Sequence, residues 1–296
     1  MPWYEFNSAD DPKFSELAAK YRLHPLHLED ARATDERVKV DQTAYYTFAV
    51  LKPVRVLAGA QGMQDSVSFS TIDIFAGAHE GEPFFITVAD ESCPTTAAAL
   101  ARARADGSDK PARLLYLIVD TIVDLYFPAI DHYDDRIDEL EDRVIAQPEP
   151  TTLQQVFSLK RQLINLRRVL VGTRDATLHL QRDPQSIVDA EHQPFVRDVY
   201  DHVVRLLDSV ETQRDLVNNA LDIYLSSVAN RTNEVMKVLT VLGTIALPAI
   251  AISGIYGMNL KGLPFEDSPH GAAYVAGLTI ACTVALLVEL KRRKWF

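Results

Sequence analysis

A chain of 296 residues can hold one large domain or two smaller ones. Its net charge of -11 at pH 7 argues against nucleic-acid binding and suits an attraction for cations. At 47% hydrophobic and 24% charged residues the average looks like an ordinary soluble protein, but the apolar residues are concentrated toward the C-terminus.

The first twelve residues, MPWYEFNSADDP, have no basic stretch and no apolar core, so they are not expected to act as a secretory signal. Lys13–Ala19 has a short helical pattern, and His24–Asp30 reads as a turn into another helix. Ala44–Leu51, Ser66–Phe75 and Phe84–Val88 are rich in β-branched and aromatic residues and predict strands. Gly59–Gly62 and Gly77–Gly81 read as the turns between them. Residues 1–110 are therefore expected to form a cytoplasmic α/β domain. Cys93 lies in this polar part and Cys282 in a late apolar run, so no pairing is expected, which fits a reducing compartment.

From Pro111 the pattern is helical. Ala112–Ala146 is expected as one helix, ended by Gln147-Pro-Glu-Pro150, and Thr152-x-x-Gln155 has the form of a capping box for the next. Leu153, Val156, Leu159, Leu163, Leu166 and Leu170 form one apolar stripe, so residues 111–193 predict an antiparallel helical hairpin. No proline or glycine occurs between Phe195 and Lys237. There Val203, Leu207, Val210, Val217, Leu221, Tyr224 and Val228 advance in steps of four and three, with Arg214 the polar member, as in a coiled-coil seam. This stalk, 194–237, has no stop before the apolar run. A helix from Pro194 to Tyr256 would be roughly 90 Å long and invites a parallel oligomer. Asp201, Asp208, Asp215 and Asp222 share one face of it, either as a solvated acidic surface or as divalent-cation ligands between subunits.

Val238–Asn259 carries no ionisable side chain except Tyr256, and Gly271–Val288 none except Tyr274. Each is near the roughly 20 residues that cross a hydrocarbon core as a helix. Buried core helices are the alternative, but Lys237 and Lys261 bracket the first run and Glu289–Phe296 ends the second with four basic residues. By the positive-inside rule the 291–296 tail is cytoplasmic, the large N-terminal part lies on the same side, and the 260–270 loop faces the periplasm. The spans are then 238–259 and 271–290 in a bacterial-type inner membrane.

The first span has more than an anchor needs: Thr240, Gly243, Thr244, Pro248, Ser253, Gly254 and Gly257. Close helix packing explains several of these. The heptad series Asn233, Thr240, Leu247 and Gly254 can also point at a common axis, giving a path that is polar inside and apolar at Leu247, where dewetting gates. Asn259 at the outer end offers amide carbonyls without formal charge, suited to the water shell of a cation that dehydrates reluctantly. The second span has no such polar series and is expected to face lipid.

Tyr256-Gly-Met-Asn259 at the end of the first of two C-terminal spans, followed by a short loop and a basic tail, resembles the CorA family of magnesium transporters. The similarity extends through Tyr224–Leu239, Phe195–His202 and His24–Asp30, so it covers nearly the whole chain. The resemblance implies an α+β membrane protein: a homopentameric funnel with a cytoplasmic α/β domain and pore-lining stalk helices. It implies a selectivity filter at Tyr256, Gly257, Met258 and Asn259, and apolar pore constrictions at Leu239 and Leu247 with Asn233 at the inner end. It also implies Mg²⁺ as both cargo and regulator, with no organic cofactor. Intersubunit carboxylates sense the regulatory ion: Asp222 and Asp198 match two positions, and Asp90 or Glu91 is taken as the partner. Ile250 stands where the family often has a threonine, and Leu263-Pro264-Phe265 replaces a frequent Met-Pro-Glu, while Lys261 adds positive charge at the mouth.

Three functions follow from these residues. The first is a Mg²⁺ channel closed by internal Mg²⁺. The second is a Zn²⁺, Co²⁺ or Ni²⁺ transporter of the same architecture, with or without proton coupling; the histidines are read as scattered over the surface. The third is a membrane-tethered cytoplasmic sensor without conduction, which leaves the heptad in the first span unexplained. No Gly-x-Ser-x-Gly, Walker loop or His-Glu-x-x-His is present, which argues against an enzyme, and His132-Tyr-Asp-Asp135 reads as a solvated helix face. The sequon Asn230-Arg-Thr232 lies on the expected cytoplasmic side and is discounted.

Overall fold

The computed structural model describes residues 1–33, 36–57, 66–90, 92–146, 148–183, 187–258, 262–265 and 268–293. The chain forms two compact units, Met1–Leu221 and Asp222–Phe296.

The first unit is built on a sheet of order β1-β7-β6-β3-β2, comprising β1 (Trp3–Phe6), β2 (Lys39–Gln42), β3 (Tyr46–Leu51), β6 (Ile72–His79) and β7 (Glu82–Ala89). β1 runs parallel to β7; the other pairs are antiparallel. Every residue of β3 is buried, because both faces are covered, and an apolar run rather than an alternating one results. On one face Phe14 and Ala18 of α1 (Pro12–Lys20) and Ala31 of α2 (Pro25–Arg32) pack on Phe48, Val50, Phe75, Phe84, Ile86 and Val88. α4 (Pro111–Asp124) lies against β6 and β7, with α3 (Pro94–Asp106) beside it.

The single strand expected over Ser66–Phe75 is two. β5 (Ser66–Phe69) pairs with β4 (Val54–Leu57) in a separate ribbon, and β6 begins at Ile72. The break has a partner on the neighbouring strand, where Lys52-Pro53 separates β3 from β4. There Ser70 N–H donates to Pro53 O at 2.9 Å and Lys52 Nζ to Thr71 Oγ1 at 3.0 Å, so both strands leave the main sheet at one level. Proline supplies no ladder donor.

The helix expected over Ala112–Ala146 is also divided, into α4 and α5 (Tyr126–Ala146), at Leu125. Pro128 is the cause: it cannot donate to the carbonyl of Asp124, and its ring would strike it. α6 (Pro150–Arg182) starts before the expected capping box. Its cap is Glu149 with Pro150 in the first turn, and Thr152 is buried within that turn. Proline is well suited to this place, where its missing N–H has no helical partner anyway. α5 and α6 run antiparallel, as Arg136 to Gln162 (3.1 Å) and Arg143 to Gln155 (3.4 Å) show.

α7 is one helix, Gln193–Gly257. In its first part the buried row is Val196, Val199, Val203, Leu206, Val210, Gln213, Val217 and Ala220. Half of the expected seam is present, but the second row lies one residue earlier than Leu207, Arg214 and Leu221. The chain's own helices fill it: Gln213 Nε2 donates to Ile130 O (2.9 Å) and Asp134 Oδ1 (2.7 Å) on α5, and Lys160 of α6 reaches Asn218 at 2.9 Å.

Candidate functional site

In the second unit the remainder of α7 and α8 (Gly271–Arg292) are each long and apolar enough to cross a membrane, and only 6% of the most apolar stretch of each is buried. The more enclosed side of α7 carries Val241, Ile245, Pro248, Ile252 and Tyr256; that of α8 carries Gly271, Val275, Thr279, Thr283 and Leu287. Ile252, Ser253 and Tyr256 share a cleft with Gly271, Val275 and Thr279. At about 100° per residue, Thr240, Leu247 and Gly254 come onto the other side of α7. All three are exposed, as are Asn233 and Leu239. Leu247 is 62% exposed and Ile250 67%. Thr240 Oγ1 donates to Met236 O at 2.7 Å, and Thr244 Oγ1 to Thr240 O at 2.8 Å. Each hydroxyl therefore spends its proton on its own helix and turns lone pairs outward, the polarity a cation meets favourably.

α7 ends at Gly257, and Met258 N–H donates to Ile255 O at 3.3 Å in a closing turn. Tyr256, Gly257 and Met258 thus sit at the helix terminus; Asn259 lies outside the described residues. Tyr256 Oη donates to Pro264 O across the loop at 2.8 Å.

The expected sensing carboxylates divide. Asp222 is exposed and makes no ion pair among the described residues, and Asp201, Asp208 and Asp215 are exposed on the same face. Asp198 is also exposed, and its Oδ2 lies 3.6 Å from His202 Nε2; His202 Nδ1 is 3.6 Å from Asp124 Oδ1. Asp124 is 3.8 Å from Arg102, which pairs with the buried Asp120 at 2.8 Å. Burial, then the neighbouring Asp124, push the Asp120 carboxyl above its ordinary value despite Arg102. The sequence reading missed Asp120 and Asp124. Their signal was two carboxylates four apart in the otherwise apolar run of α4. Asp90 is otherwise engaged: it accepts from Ser92 Oγ (2.8 Å) and Ser92 N–H (2.9 Å) and lies 3.6 Å from Arg55, and these bonds hold its pKa low. No described contact joins it to Asp198. Glu91 lies outside the described residues.

Asp189, Glu191 and His192 also bring ligand atoms together. Asp189 accepts from the His192 backbone N–H at 3.0 Å and Glu191 binds Lys110 at 2.6 Å, so their bonds are those of a helix start rather than an open coordination site.

An α/β unit whose last helix runs on into one of two apolar, almost unburied helices defines a membrane protein with a large extramembrane domain. The sequence model of the CorA-like Mg²⁺ transporter proteins matches residues 1–292. The cobalt/magnesium transport protein CorA of Thermotoga maritima is 37% identical over 278 residues, covering 93% of this chain and 77% of the relative. The complete CorA magnesium transporter structure from Methanocaldococcus jannaschii matches with a TM-score of 0.80 at 23% identity, covering 99% of this chain and 91% of that one. The full-length CmaX structure matches at 0.72 and 18% identity, with 99% and 88% coverage. The chain belongs to the CorA family.

Proposed function

We propose that this chain is a transporter of divalent cations, with Mg²⁺ its cargo, and that it works as a homopentamer in the inner membrane with both termini in the cytoplasm. The domain boundaries at 110, 193, 237, 259, 270 and 290 follow the same reading. One observation carries it: the face of α7 bearing Thr240, Leu247 and Gly254 is exposed, and it lies away from α8. A lone copy would turn those threonine oxygens and bare glycines into lipid. Several copies around an axis turn them into a lumen.

In that lumen each element has a task. A ring of Asn259 amides hydrogen-bonds the hydration shell of the incoming ion and leaves it free to move on, since carboxylates would hold a divalent ion too tightly. Gly257 lets the backbone approach, and Met258 completes the turn. Leu247 and Leu239 form the apolar constrictions that dry when the pore narrows, and Asn233 receives the ion inside. Asp222 and Asp198 sense internal Mg²⁺ across the subunit boundary. Both offer exposed carboxylate oxygens, the donors a hard cation takes. Asp90 fits less well, because Arg55 and Ser92 already hold it. With internal Mg²⁺ scarce the carboxylates repel, the subunits separate and the pore wets; with Mg²⁺ bound the repulsion is offset and the pore shuts.

The test is ion flux in proteoliposomes. Asn259→Ala should abolish Mg²⁺ uptake while leaving assembly intact, and unchanged flux would remove the filter. A second reading, Co²⁺, Ni²⁺ or Zn²⁺ transport, is favoured by the relative named for cobalt and magnesium and by Ile250 and Lys261 in this chain. Flux of Zn²⁺ and Co²⁺ against Mg²⁺, with and without a pH gradient, separates the two.

A further inference from the structure

α5 and α6 each turn one row of side chains away from the chain's own core. On α6 the row is Phe157, Arg161, Ile164 and Arg168, all exposed. On α5 it is Asp131, Asp135, Asp138 and Asp142, again all exposed. Both rows advance in steps of four, three and four, so each is one helix face about 16 Å long. Each lies about 150° around its helix from the buried row, which is Tyr133, Ile137, Leu140 and Val144 on α5 and Val156, Leu159, Leu163 and Leu166 on α6. Within one chain the two rows do not meet, and neither the arginines nor the aspartates of these rows make an ion pair or hydrogen bond among the described residues. Their neighbours on the same helices are engaged: Arg167 with Glu211, Arg174 with Asp175 at 2.8 Å, Arg143 with Glu139 at 3.5 Å, and Asp134 with Gln213 at 2.7 Å.

We propose that the α6 row is a docking face between subunits and that its occupant is the α5 row of a second copy of this chain, an inference that rests on the assembly of several copies given above and not on conduction. The two arginines are seven residues apart, about 10.5 Å along the helix. Asp131 and Asp138 are also seven apart, as are Asp135 and Asp142, so both guanidinium groups find a carboxylate whichever way the helices run. In a lone copy the aspartates repel one another at three- and four-residue spacing, while Phe157 and Ile164 stand 44% and 39% exposed. Docking neutralises the acidic row and covers the two apolar side chains. The contact is heterologous, α6 of one copy against α5 of the next, and contacts of that kind generate a ring when the rotation closes, as a homopentamer requires.

The experiment follows subunit exchange between donor- and acceptor-labelled copies of the full chain in detergent. Arg161→Glu with Arg168→Glu reverses the α6 row, and Asp135→Arg with Asp138→Arg reverses the middle of the α5 row. Each set should speed exchange by roughly threefold to thirtyfold, as the loss of two exposed ion pairs predicts. The two sets combined in one chain should return exchange toward the native rate. All four positions are exposed, so the fold should persist, and circular dichroism checks it. Should the reversal disrupt folding, Arg161→Gln with Arg168→Gln is read by the same criterion. Unaltered exchange in the α6 variant overturns the proposal. Failure of the combined chain to recover overturns α5 as the occupant. An effect seen only with phosphatidylglycerol in the micelles assigns the arginines to lipid headgroups and overturns it too. Light scattering separates the two ideas: a native chain of one copy removes the assembly itself, whereas a native oligomer indifferent to the α6 reversal removes only this contact.

Discussion

Asp73 is expected to make the stability of the extramembrane unit fall as pH rises. It sits in the middle strand of the sheet, between Val50 on β3 and Val88 on β7. It is 4% exposed, and its Oδ1 is buried without a hydrogen-bond partner. Burial raises its pKa from 3.8 to about 7, with Lys52 working in the other direction and Asp30 and Glu36 adding to the rise. In the unfolded chain the same carboxyl ionises near its ordinary value. Between those two pH values the folded state therefore holds a proton that the unfolded state has released, and stability declines with pH through the window, then levels off above about 7. The interval corresponds to a cost on the order of 4 kcal/mol at roughly 1.4 kcal/mol per unit. Asp73→Asn keeps the shape and removes the charge. The variant should equal the native protein near pH 4 and exceed it by about 2–4 kcal/mol at pH 8. Denaturant melts of the full chain in detergent, followed by circular dichroism at several pH values, measure this. The difference between the two proteins cancels other titrating groups, His27 among them, whose pKa is lowered by its burial. Parallel pH curves for both proteins would refute the reasoning, and would mean that Lys52 holds an ionised Asp73 in the folded state.

Four further outcomes are expected. Asp222→Ala should shift the inhibition of flux by internal Mg²⁺ to higher concentration; superimposable dose–response curves would return it to a solvated surface. Asp198→Asn should do the same, and an unaltered dose–response curve would return Asp198, too, to a solvated surface. Leu247→Ser should leave a residual Mg²⁺ leak at inhibitory internal Mg²⁺, because a polar ring no longer dries; a fully closed variant pore would place the gate elsewhere. Gln213→Ala should destabilise the first unit by about 2–4 kcal/mol, from the lost bonds to Asp134 and Ile130, and an unchanged melt would exclude it from the helix seam.

How far the fold could be read from sequence depended on whether the signal was local. The long α7 was legible because nothing in Phe195–Lys237 can stop a helix, and the two apolar runs because length and composition suffice. The strand break at Ser70-Thr71 was not, since it is dictated by Pro53 on a neighbouring strand. The break at Leu125 was available in Pro128 but was outweighed by the apolar periodicity around it. The seam of α7 was misplaced by one residue because Gln213, a polar side chain, is accepted at a buried position by Ile130 O and Asp134. Hydropathy alone places Leu207, Arg214 and Leu221 as readily. At the candidate site, Asp198 could be singled out from the stalk, but Asp124 beside His202 belongs to another helix, and only folding joins them.

The filled seam also bears on assembly. Heptad spacing along the stalk suggests that α7 meets copies of itself throughout, but from Val196 to Ala220 its apolar row is occupied by α4, α5 and α6 of the same chain. What remains for neighbouring copies there is the other side, where Asp201, Asp208 and Asp215 stand exposed. An acidic face packs poorly against copies of itself without cations, because like charges at close range repel and desolvating them costs more than their mutual contact returns. Farther along, the helix changes character: Val235, Met236, Leu239, Leu242 and Leu247 are each more than half exposed. If copies assemble as proposed, apolar contact between them is available near and within the membrane, while along the first part of the stalk the exposed carboxylates would favour contact only where positive charge, from Arg197 and Arg205 or from a bound cation, offsets them. The proposed cation-sensitive joint would then lie along the stalk, at a distance from the apolar contacts nearer the membrane.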